Sequence, residues 1–183
     1  MENKQKRNLV IYTLLAVILI AVDFISKKLI VSRFEIREQK VFIKDFFSFY
    51  YVRNTGSAFS FLADQAWGIY ILTLISLVMS VVLYIVLIRA VKLNDKITSV
   101  ALTLFISGAV GNLIDRAAYR SVVDFIRFDF GNYTFPIFNI ADICAVVATI
   151  LLMLIIVFGK GRIERLYDSF FPSKKEEVRS DAS

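Results

Sequence analysis

Four apolar runs, about residues 9–31, 67–88, 97–115 and 137–158, dominate this sequence. Each approaches the roughly 20 helical residues needed to cross a hydrocarbon core. Backbone in lipid has no water to bond, so such runs must close their hydrogen bonds internally as helices. The expected fold is membrane all-α: four transmembrane helices in a single domain over residues 1–168, then a polar tail, 169–183, read as disordered. Four crossings put both termini on one side of the membrane. Lys and Arg in short flanking segments are retained in the cytoplasm. They are dense at Lys4, Lys6 and Arg7, at Arg89, Lys92 and Lys96, and at Lys160, Arg162 and Arg165. The outer segments, 33–66 and 116–136, spread theirs over much more chain, so both termini are expected in the cytoplasm. A basic start before an apolar run also describes a cleaved signal peptide. Here no small-x-small site follows Leu19, and the run meets Asp23 and Lys27 instead, which favours an uncleaved anchor.

Composition narrows the chemistry. With no histidine in 183 residues, the Ser-His-Asp and Cys-His hydrolases and all His-ligated metal sites are excluded. The lone Cys144 can form neither an intramolecular disulfide nor a zinc cluster. The net charge of +6 lacks a basic patch interleaved with aromatics, so it points to lipid headgroups and not to nucleic acid.

The outer segments carry strand signals. Residues 41–53 are crowded with aromatic and β-branched types, and 122–138 read as two short strands around Gly131-Asn132, a hairpin turn. Small extracytoplasmic β-strand segments are therefore expected between helices 1 and 2 and between helices 3 and 4, with their aromatics in the headgroup layer.

Charges inside spans are costly and mark functional candidates. At 1.5 Å per helical residue, Asp23 lies about 21 Å beyond Leu9, Asp115 about 28 Å beyond Lys96, and Asp142 about 24 Å outward from Phe158. The spans alternate in direction, yet all three acids reach the outer leaflet, and Asp124 can reach the same level. Asn112, Asp115 and Arg116 share a helix face by i, i+3, i+4 spacing, and Asn139 and Asp142 stand at i, i+3. Each has a plainer reading: an interfacial ion pair for Asp115 and Arg116, a helix-start carboxylate for Asp142, an i, i+4 pair for Asp23 and Lys27, and a turn residue beside Gly56 for Asn54. Ser107, Gly108 and Gly111 let the third span approach a neighbour closely, which would set Asp115 and Asp142 on adjoining surfaces.

Two carboxylates in a partly desolvated site can share one proton, giving a base and an acid without histidine, metal or cofactor. Water attack on a peptide carbonyl is then available. Asp124 and Asp142 suit the pair, one from an extended segment and one from a helix start, although spacing alone does not prefer Asp124 over Asp115.

These residues fall in motifs. DFISK at 23–27, NTGSAF at 54–59, GNLIDR at 111–116, VVDFI at 122–126 and FNIADIC at 138–144 together resemble the lipoprotein signal peptidase, or signal peptidase II, family of bacteria. The blocks stand in the family's order and cover the chain up to about residue 165. Ser57 departs from the alanine common in the NTG block. The resemblance implies an aspartyl endopeptidase of the bacterial cytoplasmic membrane, active toward the outer leaflet. It would remove signal peptides from diacylglyceryl-modified prolipoproteins just before the lipidated cysteine, and act as a monomer among membrane lipids. It implies Asp124 and Asp142 as the catalytic pair. Asn54, Gly56, Asn112, Asp115, Arg116, Asn139, Asp23 and Lys27 would bind substrate or support the cleft. Two other classes compete: a proton-coupled transporter, disfavoured because the acids crowd one leaflet and no repeat is visible, and a membrane scaffold, which leaves the asparagines without a role.

Overall fold

The computed structural model describes residues 1–55 and 67–171; Gly56, Ser57 and the tail from 172 onward lie outside the described residues. Four of its helices are long and apolar enough to cross a membrane: α1 (Asn3–Arg33), α2 (Gly68–Lys92), α3 (Lys96–Tyr119) and α4 (Ile140–Phe158). Between α1 and α2 stand β1 (Gln39–Ile43) and β2 (Phe47–Asn54); between α3 and α4, β3 (Val122–Phe130) and β4 (Tyr133–Thr134); α5 (Lys160–Phe170) follows α4.

α1, α2 and α3 exceed the expected spans in length, whereas α4 is three residues shorter than its span. α3 runs past Asp115 to Tyr119, because Arg120 provides a left-handed stop (φ 53°), so the segment expected to begin at 116 starts four residues later. Residues 137–139 are not helical; Asn139 caps α4, which starts at Ile140. The stretch read as one extended segment is a hairpin, turning at Asp45 with positive φ. The turn at Gly131 (φ 61°) joins β3 to β4 as its sequence suggests. α5 is an element beyond the four expected helices, and it continues to Phe170, two residues into the segment read as tail.

α3 is the hub, packed against α1, α2 and α4. It can be buried despite its hydroxyls because Ser99, Thr103 and Ser107 each donate to the carbonyl four residues back, at 2.7 Å. Gly108 and Gly111 make the contact close. A Cβ on Gly108 would meet the Ala141 carbonyl oxygen, and one on Gly111 would lie 2.8 Å from Asp23 Oδ2 and 3.0 Å from Ala141 Cβ. An apolar core of Leu87, Ala90, Val91, Leu102 and Ile106 joins α2 to α3. Its end of the bundle collects the basic segments: Gln5 Nε2 donates to the Lys92 carbonyl (2.9 Å), Arg162 pairs with Asp95 (2.6 Å), and Arg89 lies over the Phe170 ring.

At the opposite end the four strands form one antiparallel sheet in chain order. Ile30, Tyr51, Val123 and Phe125 pack it onto α1. Its register matters for chemistry: Asn54 pairs with Val122 and Val52 with Asp124, so Asn54 and Asp124 are diagonal neighbours across β2 and β3.

Candidate active site

The start of α4 organises the polar residues. Asn139 Oδ1 accepts from the Asp142 N–H (2.9 Å), and Asp142 Oδ2 accepts from the Asn139 N–H (3.1 Å), a reciprocal capping box. The helix-start reading of Asp142 is thus realised, and it orients the carboxylate. The Asn139 amide nitrogen donates onward to Asp124 Oδ1 (2.7 Å) and to Asn112 Oδ1 (3.1 Å). Asn54 Nδ2 donates to Asp124 Oδ2 (3.0 Å), and Asn112 Nδ2 to Asp142 Oδ1 (2.7 Å). All four oxygens of Asp124 and Asp142 therefore receive an N–H, every one of them from an amide. Asp124 is 3% exposed, whereas Asp142 is half-buried. Burial, reinforced by the charge of Asp142, pushes Asp124 up to about 7; the bonds from Asn54 and Asn139 pull the other way.

A second group of acids lies one layer away. Lys27 Nζ stands 2.8 Å from Asp23 Oδ2 and 3.3 Å from Asp115 Oδ2, with all three side chains buried. The Ala141 N–H holds Asp23 Oδ1 (2.8 Å), and the Val123 N–H holds Asp115 Oδ2 (3.1 Å). Lys27 also donates to Asn112 Oδ1 (3.0 Å). With two donors on that oxygen, the amide of Asn112 is oriented, and its nitrogen is left facing Asp142.

The expected convergence of the acids is present, but its grouping differs. Asp115 meets Lys27 and Val123, while Asp142 meets Asn112, one turn earlier on α3. Spacing places Asn112 and Asp115 on one helix face, and Lys27 reaches both; beyond it, Asn112 bonds Asp142 and Asn139 while Asp115 bonds the Val123 N–H. The Asp23–Lys27 pair is the one expected from i, i+4 spacing. Arg116 feels the charges of Asp142, Asp124 and Asp115 but bonds none of them, and its Nε is buried without a hydrogen-bond partner among the described residues. Gly56 falls outside those residues. The main-chain N–H groups of Val123 and Ala141 are parts of the site that sequence reasoning missed, since no side-chain pattern announces them. Among the described residues, no three acidic or cysteine side chains gather as a metal site would require.

Comparison with known proteins gives consistent matches. The family described as signal peptidase (SPase) II matches residues 15–158. A lipoprotein signal peptidase of Clostridium tetani is 45% identical over 148 residues, 80% of this chain and 92% of the relative. One of Bacillus subtilis is 36% identical over 152 residues, 83% and 96% of the two chains. A bacterial membrane enzyme solved by the in meso method at 2.3 Å superposes with a TM-score of 0.70 at 29% identity, covering 89% of this chain and 92% of that one.

Proposed function

The chain belongs to the signal peptidase II family, and we propose that Asp124 and Asp142 are the catalytic pair with which it cleaves prolipoproteins. It is an aspartic-type endopeptidase and a multi-pass membrane protein. The observation that carries the assignment is that these two buried or half-buried carboxylates are held by amides, with no cation bonded to either among the described residues. Such a pair retains one shared proton.

Asp124, the more buried, carries the proton, and Asp142 is ionised. Asp142 takes a proton from water as the water oxygen attacks the scissile carbonyl, and Asp124 gives its proton to the carbonyl oxygen. When the tetrahedral diol collapses, the C–N bond breaks. Asp142 returns its proton to the leaving amine, and Asp124 recovers one from the diol hydroxyl. Arg116 Nε, buried and without a bond among the described residues, supplies a donor for a substrate carbonyl. Asn54, Asn112 and Asn139 fix the pair, Lys27 with Asp23 and Asp115 fixes the layer behind it, and Gly56 is assigned, from its motif alone, to substrate binding or cleft support.

The substrate is a diacylglyceryl-modified prolipoprotein cut just before its lipidated cysteine. Each acyl methylene adds about 0.8 kcal/mol of anchoring, so two chains hold the cysteine at a set depth. The basic end of the bundle is cytoplasmic, the sheet and catalytic pair face the outer leaflet, and the protein acts as a monomer.

A cleavage assay with purified protein tests the assignment. Asp124→Asn and Asp142→Asn should each stay folded and lose several orders of magnitude; more than about a tenth of wild-type activity in either would contradict acid-base catalysis, a step worth roughly a hundredfold or more. Unmodified prolipoprotein at matched membrane occupancy should be cut far more slowly, and similar rates would dismiss the depth argument. For topology, Gln5→Cys should react only from the cytoplasm and Glu38→Cys only from outside, in a Cys144→Ala background.

A further inference from the structure

Where the sheet meets α1 and α3, a small open recess is lined by Phe24, Lys28 and Val31 of α1, Arg53 of β2 and Tyr119 of α3. Lys27 and Asp115 also line it, already engaged with each other. Lys28 and Arg53 differ from Lys27: among the described residues neither has a carboxylate partner. Lys28 Nζ bonds the Tyr119 hydroxyl (2.6 Å) and lies 5.1 Å from that ring's centre, and Arg53 stands 5.2 Å from the same ring. Arg53 Nε bonds the Tyr51 hydroxyl (2.6 Å), but its Nη1 is buried with no hydrogen-bond partner among the described residues. The Tyr119 hydroxyl accepts from Lys28 and keeps its own proton to donate. Two cations without a carboxylate partner among the described residues and a hydroxyl with a proton to donate thus share one recess; Lys28 and Tyr119 are exposed there, and the buried Arg53 Nη1 is the donor whose lack of an acceptor is costly.

We infer that this recess binds the phosphate of a glycerophospholipid through Lys28, Arg53 and Tyr119. A phosphodiester supplies the missing negative charge and several acceptor oxygens for the guanidinium. The lipid source, not free phosphate, is indicated by the mouth. Phe24 and Val31 are both 39% exposed beside exposed Ile25 and Leu29, so an acyl chain can follow α1 from a headgroup seated at its last turns. The site lies behind Asp115, separate from the catalytic pair, and does not rest on the assignment of Asp124 and Asp142.

Native mass spectrometry of the full-length protein, released from micelles containing dioleoyl phosphatidylglycerol or dioleoylglycerol, tests it. The wild type should retain the phospholipid and not the diacylglycerol. Lys28→Gln, at an exposed position, and Arg53→Gln should each lower retention by roughly tenfold, the loss of one charge-assisted bond. Lys28→Arg should preserve it, and Lys44→Gln, on the hairpin turn, should not alter it. Equal retention of the two lipids would reduce the recess to an apolar contact, and displacement by glycerol 3-phosphate would make it a site for free phosphate; either result overturns the inference. So would wild-type retention by Lys28→Gln.

Discussion

Two clusters of aspartates stand side by side in this molecule, and their neutralisation differs. Asp23 and Asp115 share Lys27, which lies within 3.3 Å of both. Asp124 and Asp142 are held by Asn54, Asn112, Asn139 and the Asn139 backbone N–H. A cation between two carboxylates favours their charged forms and ties them together. Amides can donate to a carboxylate, and their carbonyl ends can accept from a carboxylic acid, so they tolerate either protonation state. The first cluster is a fixed brace; the second can exchange a proton. Asn112 touches both, accepting from Lys27 and donating to Asp142.

The largest effect should come from removing the exchangeable proton. Asp142→Asn should lower cleavage by at least about a hundredfold with little change in thermal midpoint, whereas Asp115→Asn should act first on stability. A large activity loss at unchanged stability in Asp115→Asn would erase the distinction. Breaking the brace comes next. Lys27→Met strands two buried carboxylates and should cost about 3–5 kcal/mol, read as a lower unfolding midpoint in detergent, with Lys27→Arg intermediate.

The pH response sharpens the contrast. Because Asp124 is raised by burial and by Asp142, the folded protein holds a proton that the unfolded chain releases near 4. Stability should therefore decline as pH rises from about 4 to about 7 and then level off, and this decline should shrink in Asp124→Asn. Cleavage should fall as pH rises through the same upper limit, as the acid member loses its proton. The smallest effect concerns Arg116. Arg116→Ala should lose roughly tenfold in kcat/KM, the value of one bond from a charged donor, and Arg120→Ala much less. Equal losses would identify Arg116 as a headgroup anchor.

Hydropathy made the four helices legible, because a 19- to 25-residue apolar run has few alternatives in lipid. That Asp23, Asp115 and Asp142 gather toward the same end of the bundle followed from rise per residue. Their partners did not. Whether Asn112 or Asp115 meets Asp142 depends on where α1 and β3 sit around α3, and a spacing rule contains no such information. Asn54 reaches Asp124 through β2–β3 register, with an irregularity between Phe49 and Val52 that no local pattern specifies. α5 did carry a signal, with Ile163, Leu166, Tyr167 and Phe170 at helical spacing after Gly159, but its low overall hydropathy leaves it out of a reading based on apolar runs. The motif resemblance, and not spacing, separated Asp124 from Asp115.

Asn139 uses its side-chain oxygen, both side-chain hydrogens and its backbone N–H within a few ångströms, so the first turn of α4 and the paired carboxylates are one cooperative unit. With Asp124 and Asp142 as the proposed catalytic pair, fraying of that turn and loss of the reactive arrangement are the same event. The exchange rate of the Asp142 and Asn139 amide hydrogens with solvent is then a clock for how often the enzyme is momentarily incompetent. A compound that binds only the assembled pair must slow that clock, by an amount set by its concentration relative to its dissociation constant. An inhibitor of this enzyme is, in that sense, a helix-capping reagent.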